Sequence, residues 1–476
     1  MNKNKLFPIL LVTLLFNSCK IPKVVQRTEN RTTPTAYNNT NNTDSTNTAI
    51  TSWRTFFTDT NLVKLIDTAL ANNQELMITL QEIEMAKNDI RVKKGALLPT
   101  LNGNLEVGGE KVGRYTSQGA GDEATEITPG KKVPPFLGDF KIGVDMEWEI
   151  DIWKKLRNAK KATVKRYLAT IEGKNFVLTN LIAEVANSYY ELVALDNELE
   201  VVRQNIVTQK NALEVVKIQK EASRATELAV QKFEAEVFGT QSKEFEILQE
   251  IKETENKLNF LLGRFPQEIP RSKDNFMQMV PPAIQAGIPA QLLSNRPDIK
   301  QAELELDASK LDVKVAKAEF YPQLKISASL GLDAFTPAFW YKIPESIFGS
   351  LLGDLIAPLA NKNAIKAEYL NANAKQKQAV FNFERTILNG YMEVSTQLYK
   401  IDNLQKNYDL KSKQIDALNK SVTVANDLFA SARADYFEVL MTQRDALESK
   451  LDLIETKQQQ LNAVVSIYKS LGGGWR

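Results

Sequence analysis

Carboxylates recur at alternate positions in one short stretch, "DFKIGVDMEWEIDIW", residues 139–153. Asp145, Glu147 and Glu149 share a parity with Asp139, Lys141, Gly143 and Asp151; Phe140, Ile142, Val144, Met146, Trp148, Ile150 and Ile152 take the other. Period two marks a strand with one greasy face and one acidic face. Glu106 has the same setting in a second alternating stretch, where Leu101, Leu105 and Val107 alternate with Asn102, Asn104 and Glu106. Such acids could serve acid–base catalysis or draw cations. Catalysis would need convergent partners, and the 476 residues contain no histidine. That excludes Ser-His-Asp triads and histidine metal sites. No phosphate-binding Gly-x-x-x-x-Gly-Lys-Ser/Thr loop occurs either. Arg296-Pro297-Asp298 reads as structural: proline suits a helix's first turn and Asp298 complements its dipole. The chain reads as a non-enzyme with no cofactor and no metal.

The other reactive group is Cys19, the only cysteine, so no intrachain disulfide forms. Lys3 and Lys5 precede a short apolar run, Leu6 to Phe16, too short to span a membrane as a helix. Ser18 before Cys19 resembles a lipoprotein cleavage box, although Phe16 and Asn17 depart from the leucine and small residue usual there. The reading is a signal peptide over 1–18 and lipidation of Cys19; the bland alternative is an ordinary signal peptide with an incidental cysteine. Residues 28–52 are Thr/Asn-rich, so 19–52 is expected to be a flexible tether. With 60 Lys+Arg against 58 Asp+Glu, the chain lacks the basic bias of a nucleic-acid binder.

The elements that carry the acids come in two similar series. "RVKKGALLPTL" (91–101) resembles "KVAKAEFYPQL" (314–324), aligning Pro99 with Pro322. Each follows a helical pattern and precedes alternating sequence; proline ends the one and tolerates the start of the other. A second strand follows a loop in each series, and then a long helix. Leu178, Ile182, Val185, Tyr189, Leu192, Leu195, Leu199, Val202 and Ile206 step by three and four, as do Ile387, Tyr391, Val394, Leu398, Ile401, Leu404 and Tyr408. Uninterrupted from Lys155 to Ser223, such a helix reaches about 100 Å. The first half is assigned to 53–264, with strands at about 100–110 and 139–152 and a helical hairpin over 155–262. A linker spans 265–295. The second half is 296–476, with strands at about 323–333 and 346–357 and a hairpin over 361–471.

Four strands cannot close a barrel, since about eight are needed before an interior exists. Left open, they present unpaired edges. Oligomerisation solves this, with the apolar parity facing lipid and the acidic parity facing water, as in an outer-membrane barrel. A soluble sheet on a core alternates too. The lipoprotein-like start, the repeated strand pairs and the lack of an apolar run of eighteen residues favour the membrane.

"NRPDIKQAELELDASKLDVKVAKAEFYPQL" (295–324) resembles the signature of the outer-membrane efflux proteins, the TolC-like channels. Arg296-Pro297-Asp298-Ile299, Ala302-Glu303 and Phe320-Tyr321-Pro322 carry it. "LLGRFP" (261–266), "IPAQLL" (288–293) and "WEIDIWKKLRNA" (148–159) fit as well, with Lys154 where the family often has glycine. The resemblance runs from about Trp53 to the end.

It implies a mainly α fold with a small membrane β part: a homotrimer with a twelve-stranded transmembrane β-barrel, four strands per chain, and a long α-helical coiled-coil barrel in the periplasm. It implies the outer-membrane duct of a tripartite efflux pump of the resistance-nodulation-division type, taking small molecules from a periplasmic adaptor and an inner-membrane pump. The lumen acids would be Glu106, Asp145, Glu147 and Glu149. In this family the helix tips form a periplasmic gate, for which the candidates are Asp435, Arg433, Tyr436 and Arg224. Two other readings remain: a duct for polypeptide secretion, and a pore-less periplasmic coiled-coil adaptor.

Overall fold

The computed structural model describes residues 21–25, 27–37, 45–272, 276–358, 362–431 and 433–476. Among these residues the order is α1 (Trp53–Phe56), α2 (Thr60–Asn72), α3 (Gln74–Gly95), β1 (Thr100–Glu110), α4 (Ser117–Ala124), β2 (Glu126–Thr128), β3 (Lys131–Lys132) and β4 (Leu137–Ile150). There follow α5 (Lys155–Glu221), α6 (Glu227–Leu261), α7 (Leu292–Asn295), α8 (Pro297–Ala318), β5 (Gln323–Ala334), β6 (Ile347–Ile356), α9 (Asn363–Ala430) and α10 (Tyr436–Ser470). Helices dominate. α5 and α9 have 67 and 68 residues, and α6 and α10 have 35 each. Pro99 and Pro322 stand immediately before β1 and β5, and Pro297 is the first residue of α8, as its fixed φ and missing N–H dictate.

Two compact units divide the chain. One comprises 84–167 and 304–380 with the N-terminal residues through Thr28. It holds a four-stranded antiparallel sheet in the order β1-β4-β5-β6 and a small β2–β3 ribbon. The start of α5 meets α8 through Lys165 and Asp307, 2.9 Å apart, and through an ion pair of Arg166 with Asp312.

The other unit comprises 29–83, 168–303 and 381–476. Its core is built by the three-four stripe of α5: Ile182, Val185, Tyr189, Leu192, Leu199 and Val202 are buried with Leu62, Ile66, Leu258, Leu262, Val464 and Tyr468. Each such side chain removed from water contributes about 1.5–3 kcal/mol. Asp59 accepts from Asn61 N and Leu62 N, capping α2, and its other oxygen accepts from Tyr189 Oη at 2.7 Å. Those bonds satisfy a helix start where it meets the core. Met277 and Met279 pack against this same core.

The expectation of a loose tether over 19–52 is corrected for the residues described. Tyr37 is fully buried, its ring stacked on Tyr391 with centroids 5.5 Å apart. Arg31 bonds Glu303 at 2.5 Å and lies over the Phe383 ring, and Asn30 N donates to Glu384 Oε1. In the first unit Ile21 and Val24 pack against Val313, Phe320 and Tyr369. Composition counted few apolar residues but could not show that those few meet distant partners. The leader, 1–18, and Cys19 lie outside the described residues.

Candidate functional site

Pairing converts the alternation of single strands into two continuous faces. On one, the rows read Leu105–Ile142–Leu332–Ile347, then Leu101–Met146–Ala328–Leu351, then Ile150–Leu324–Leu355. Leu101, Leu105, Val144, Leu351 and Leu355 are exposed, so among the described residues nothing else covers this face. On the other, the rows read Glu106–Lys141–Asp333, then Asn102–Asp145–Ser329–Ser350, then Thr100–Glu147–Ser327–Leu352, then Glu149–Lys325–Asp354. A slip of one residue in any pairing would exchange the faces of that strand.

The four acids named from the sequence therefore share one surface, in different circumstances. Glu106 faces Lys141 directly. Asp145 accepts from Asn104 Nδ2 at 2.5 Å and is half-buried. Glu147 is exposed between Thr100 and Ser327. Glu149 meets Lys155 Nζ at 2.5 Å, a cation that also lies 3.6 Å from Glu319. Two acids were missed, Asp333 and Asp354. Asp333 stands on the polar parity of its stretch, which was signal enough. Asp354 had no such signal, because β6 scarcely alternates. In the rows shared by three or more strands, six carboxylates (Glu106, Asp145, Glu147, Glu149, Asp333, Asp354) face two lysines, Lys141 and Lys325.

Aromatic residues cluster towards both ends of the strands. At one end Trp148 Nε1 donates to Leu97 O, Trp153 Nε1 donates to Pro322 O, and the Trp153 ring stacks on Tyr321 at 4.8 Å. At the other, Trp340 Nε1 donates to Phe140 O, near the exposed Phe335 and Tyr341. Rings with satisfied polar tips suit the boundary between lipid and water.

The four tip residues lie on two helical turns. Arg224 follows Ser223, whose φ is 56°, and its N–H donates to Gln219 O. Lys220 and Glu227 pair across that turn. In the second turn Arg433 N donates to Leu428 O, and Asp435 is the N-cap of α10 with no side-chain cap bond. The structure brings the turns together through apolar side chains. Val216, Val230, Phe233 and Val439 are buried in one cluster, with Ala225, Phe429 and Tyr436 packed on it. Arg224, Arg433 and Asp435 are exposed, and among the described residues none forms an ion pair.

Arg296, Pro297 and Asp298 form an anchor. Arg296 is 5% exposed; its guanidinium holds Asp298 at 2.7 Å, Glu393 of α9 at 2.7 Å and Ser470 O, at the end of α10, at 2.8 Å. A Cβ at Gly390 would come within 3.1 Å of Arg296 Nε, so the glycine gives the guanidinium room. Arg271 does similar work, joining Asp196 at 2.5 Å and Glu255 at 2.8 Å. Lys154 has φ 61°, the left-handed conformation glycine adopts freely. Among the described residues no three carboxylates or thiols are grouped to hold a metal ion.

Comparison with known proteins matches the outer membrane efflux protein family over residues 65–264 and 288–473. The chain belongs to that family. The resemblance read from residues 295–324 is borne out, and with it an outer-membrane place and a part in efflux. The pyoverdine export outer membrane protein OpmQ of Pseudomonas aeruginosa is 27% identical, over 89% of this chain and 87% of its own. The solvent efflux pump outer membrane protein SrpC of Pseudomonas putida is 26% identical, over 90% and 88%. The crystal structure of a membrane protein from Pseudomonas aeruginosa shares the fold of this efflux protein, with a TM-score of 0.84 at 23% identity. It covers 95% of this chain and 99% of that one.

Proposed function

We propose that three copies of this efflux protein close their sheets into one twelve-stranded barrel and align their helical hairpins into a periplasmic tube. The assembly is a passive duct, not an enzyme. An inner-membrane pump and a periplasmic adaptor deliver small molecules to the hairpin tips, and the barrel releases them outside. Lipidation of Cys19 adds an anchor.

The observation that carries the reading is the sheet register. It yields an uncovered apolar face and a charged face, with β1 and β6 left as open edges. Pairing β6 of one chain with β1 of the next removes both edges and leaves an aqueous lumen. The helices add support. On α9, Met392 and Tyr399 are exposed seven residues apart; on α6, Phe238 and Phe245 repeat the interval. An uncovered heptad seam calls for another helix, here a neighbouring copy. The similar lengths of α5 and α9, and of α6 and α10, fit a duplicated half, so that each chain gives two like hairpins to the tube.

The test is extraction and reconstitution. The detergent-purified protein is expected to sediment with the mass of a trimer, to migrate faster on gels before heating than after, and to give stepwise currents in planar bilayers. A monomer that conducts nothing would contradict the proposal.

A further inference from the structure

The charged face is not uniform. On β1, β4 and β5 its positions from Thr100 to Glu106, Lys141 to Glu149 and Gln323 to Asp333 hold only polar residues, charged residues and glycine; the one larger apolar side chain on this face of those strands is Leu137, the first residue of β4, opposite Glu110. On β6 the same face reads Phe348, Ser350, Leu352, Asp354, Ile356. Leu352 and Ile356 are exposed at 59% and 51%. Phe348 is seated differently. Its ring lies across two glycines: a Cβ at Gly331 would come 2.7 Å from its Cε1, and one at Gly143 3.3 Å from its Cζ. Lys141 Nζ stands 4.7 Å over the ring.

Exposed Leu and Ile on a water-facing surface lose the stabilisation that burial would bring, and three neighbouring strands show that polar residues fit there. Something apolar therefore gains by lying on β6. Its charge follows from the surroundings. Asp354 sits between Leu352 and Ile356 on the same face, about 7 Å along the strand from either. Glu147 shares the Leu352 row, about 10 Å away across β5. Carboxylates outnumber lysines on this face, and Lys325 is shared between Glu149 and Asp354.

We infer that the inner face of β6 is a substrate lane, repeated in each copy, that takes amphipathic organic cations. The apolar flank lies on Leu352 and Ile356, and the positive group is held by Asp354 and Glu147. Phe348 marks one end of the lane. This rests on the trimeric barrel proposed above, in which β6 joins β1 of the next copy through its edge and keeps its inner face open.

The experiment is current block in planar bilayers, with tetraphenylphosphonium and tetramethylammonium as probes of equal charge and unequal apolar surface. The wild-type channel is expected to be blocked by tetraphenylphosphonium at the lower concentration. The double change Leu352→Ser, Ile356→Ser should raise its half-blocking concentration about tenfold. Tetramethylammonium block and unblocked conductance should stay as they were. Leu352→Ser alone, at an open position, should show a smaller shift in the same direction if the double variant does not assemble. Asp354→Asn should weaken block by both cations. Normal currents with unchanged tetraphenylphosphonium block in the serine variants would overturn the lane alone. A wild-type protein that carries no current would overturn the barrel and the lane together.

Discussion

Asn104 on β1 reaches diagonally across the sheet to Asp145 on β4, donating from Nδ2 to Oδ2 at 2.5 Å. The bond lies on the charged face and orients that carboxylate without neutralising it. Only Lys141 and Lys325 oppose the acids in the shared rows, so the face keeps a negative balance.

In the proposed barrel these acids repeat as rings, and cation selectivity follows, since rings of carboxylates favour cations. In a salt gradient the reversal potential is expected to show cation preference. Asp145→Asn with Glu147→Gln should move it towards zero. Glu149→Gln should matter less, because Lys155 already pairs with that carboxylate. A wild-type preference for anions would contradict the placement.

The tip residues test a gate. Arg224, Arg433 and Asp435 have no ion-pair partner among the described residues of their own chain, which leaves them open to the neighbouring copies of the proposed trimer. Replacing Arg433 and Asp435 together by alanine should raise single-channel conductance. Asp435 makes no side-chain cap bond, so thermal stability should change little. Unchanged conductance would remove both residues from the gate.

Arg296 should be essential to stability and irrelevant to conductance. Arg296→Ala leaves Asp298, and the carbonyl of Ser470, without their buried partner. Breaking a buried charge pair on one side costs about 3–5 kcal/mol. The check is the loss of the folded protein on mild heating. Arg296→Lys should restore only part of the stability, because an ammonium cannot reproduce the guanidinium fork.

Glu198 gives stability a pH dependence. Burial in the helical core, and then the nearby Glu250 carboxylate, push its pKa up to about 7, with Glu455 adding to the rise and Lys243 opposing it. The native state thus holds this proton more tightly than the unfolded chain. The contribution is full below the ordinary carboxylate range and is lost as pH rises towards and through 7. The loss is about 2 kcal/mol once partial exposure is discounted. Glu198→Gln should flatten this part of the melting-temperature profile and stabilise the protein at pH 8. A steeper profile in the variant would contradict the assignment.

Legibility in the sequence followed the range of the forces involved. The alternation of Phe140 to Ile152 and the three-four spacing of Leu178 to Ile206 are local, and each names its element unaided. The opposition of Glu106 and Lys141, or the fork of Arg296 on Glu393, depends on pairings between residues far apart, which no local pattern encodes. β6 hid for a different reason: Phe348, Leu352 and Ile356 fill the face that should be polar, so Asp354 stood in no readable pattern. Tyr37 was misjudged because its partner, Tyr391, is remote in sequence. Lys154 was visible as a departure from glycine, and its left-handed backbone shows what the glycine would supply.

The sidedness of the sheet is tested most directly by nitroxide labels in the reconstituted protein, attached at Val144→Cys, Ile150→Cys, Asp145→Cys and Glu147→Cys with Cys19 blocked or replaced. Collision rates with oxygen report lipid, and those with a water-soluble nickel complex report the aqueous phase. The account predicts high oxygen and low nickel access at 144 and 150, with the reverse at 145 and 147. Water contact at 144 and 150 together with hydrocarbon at 145 and 147 would contradict it.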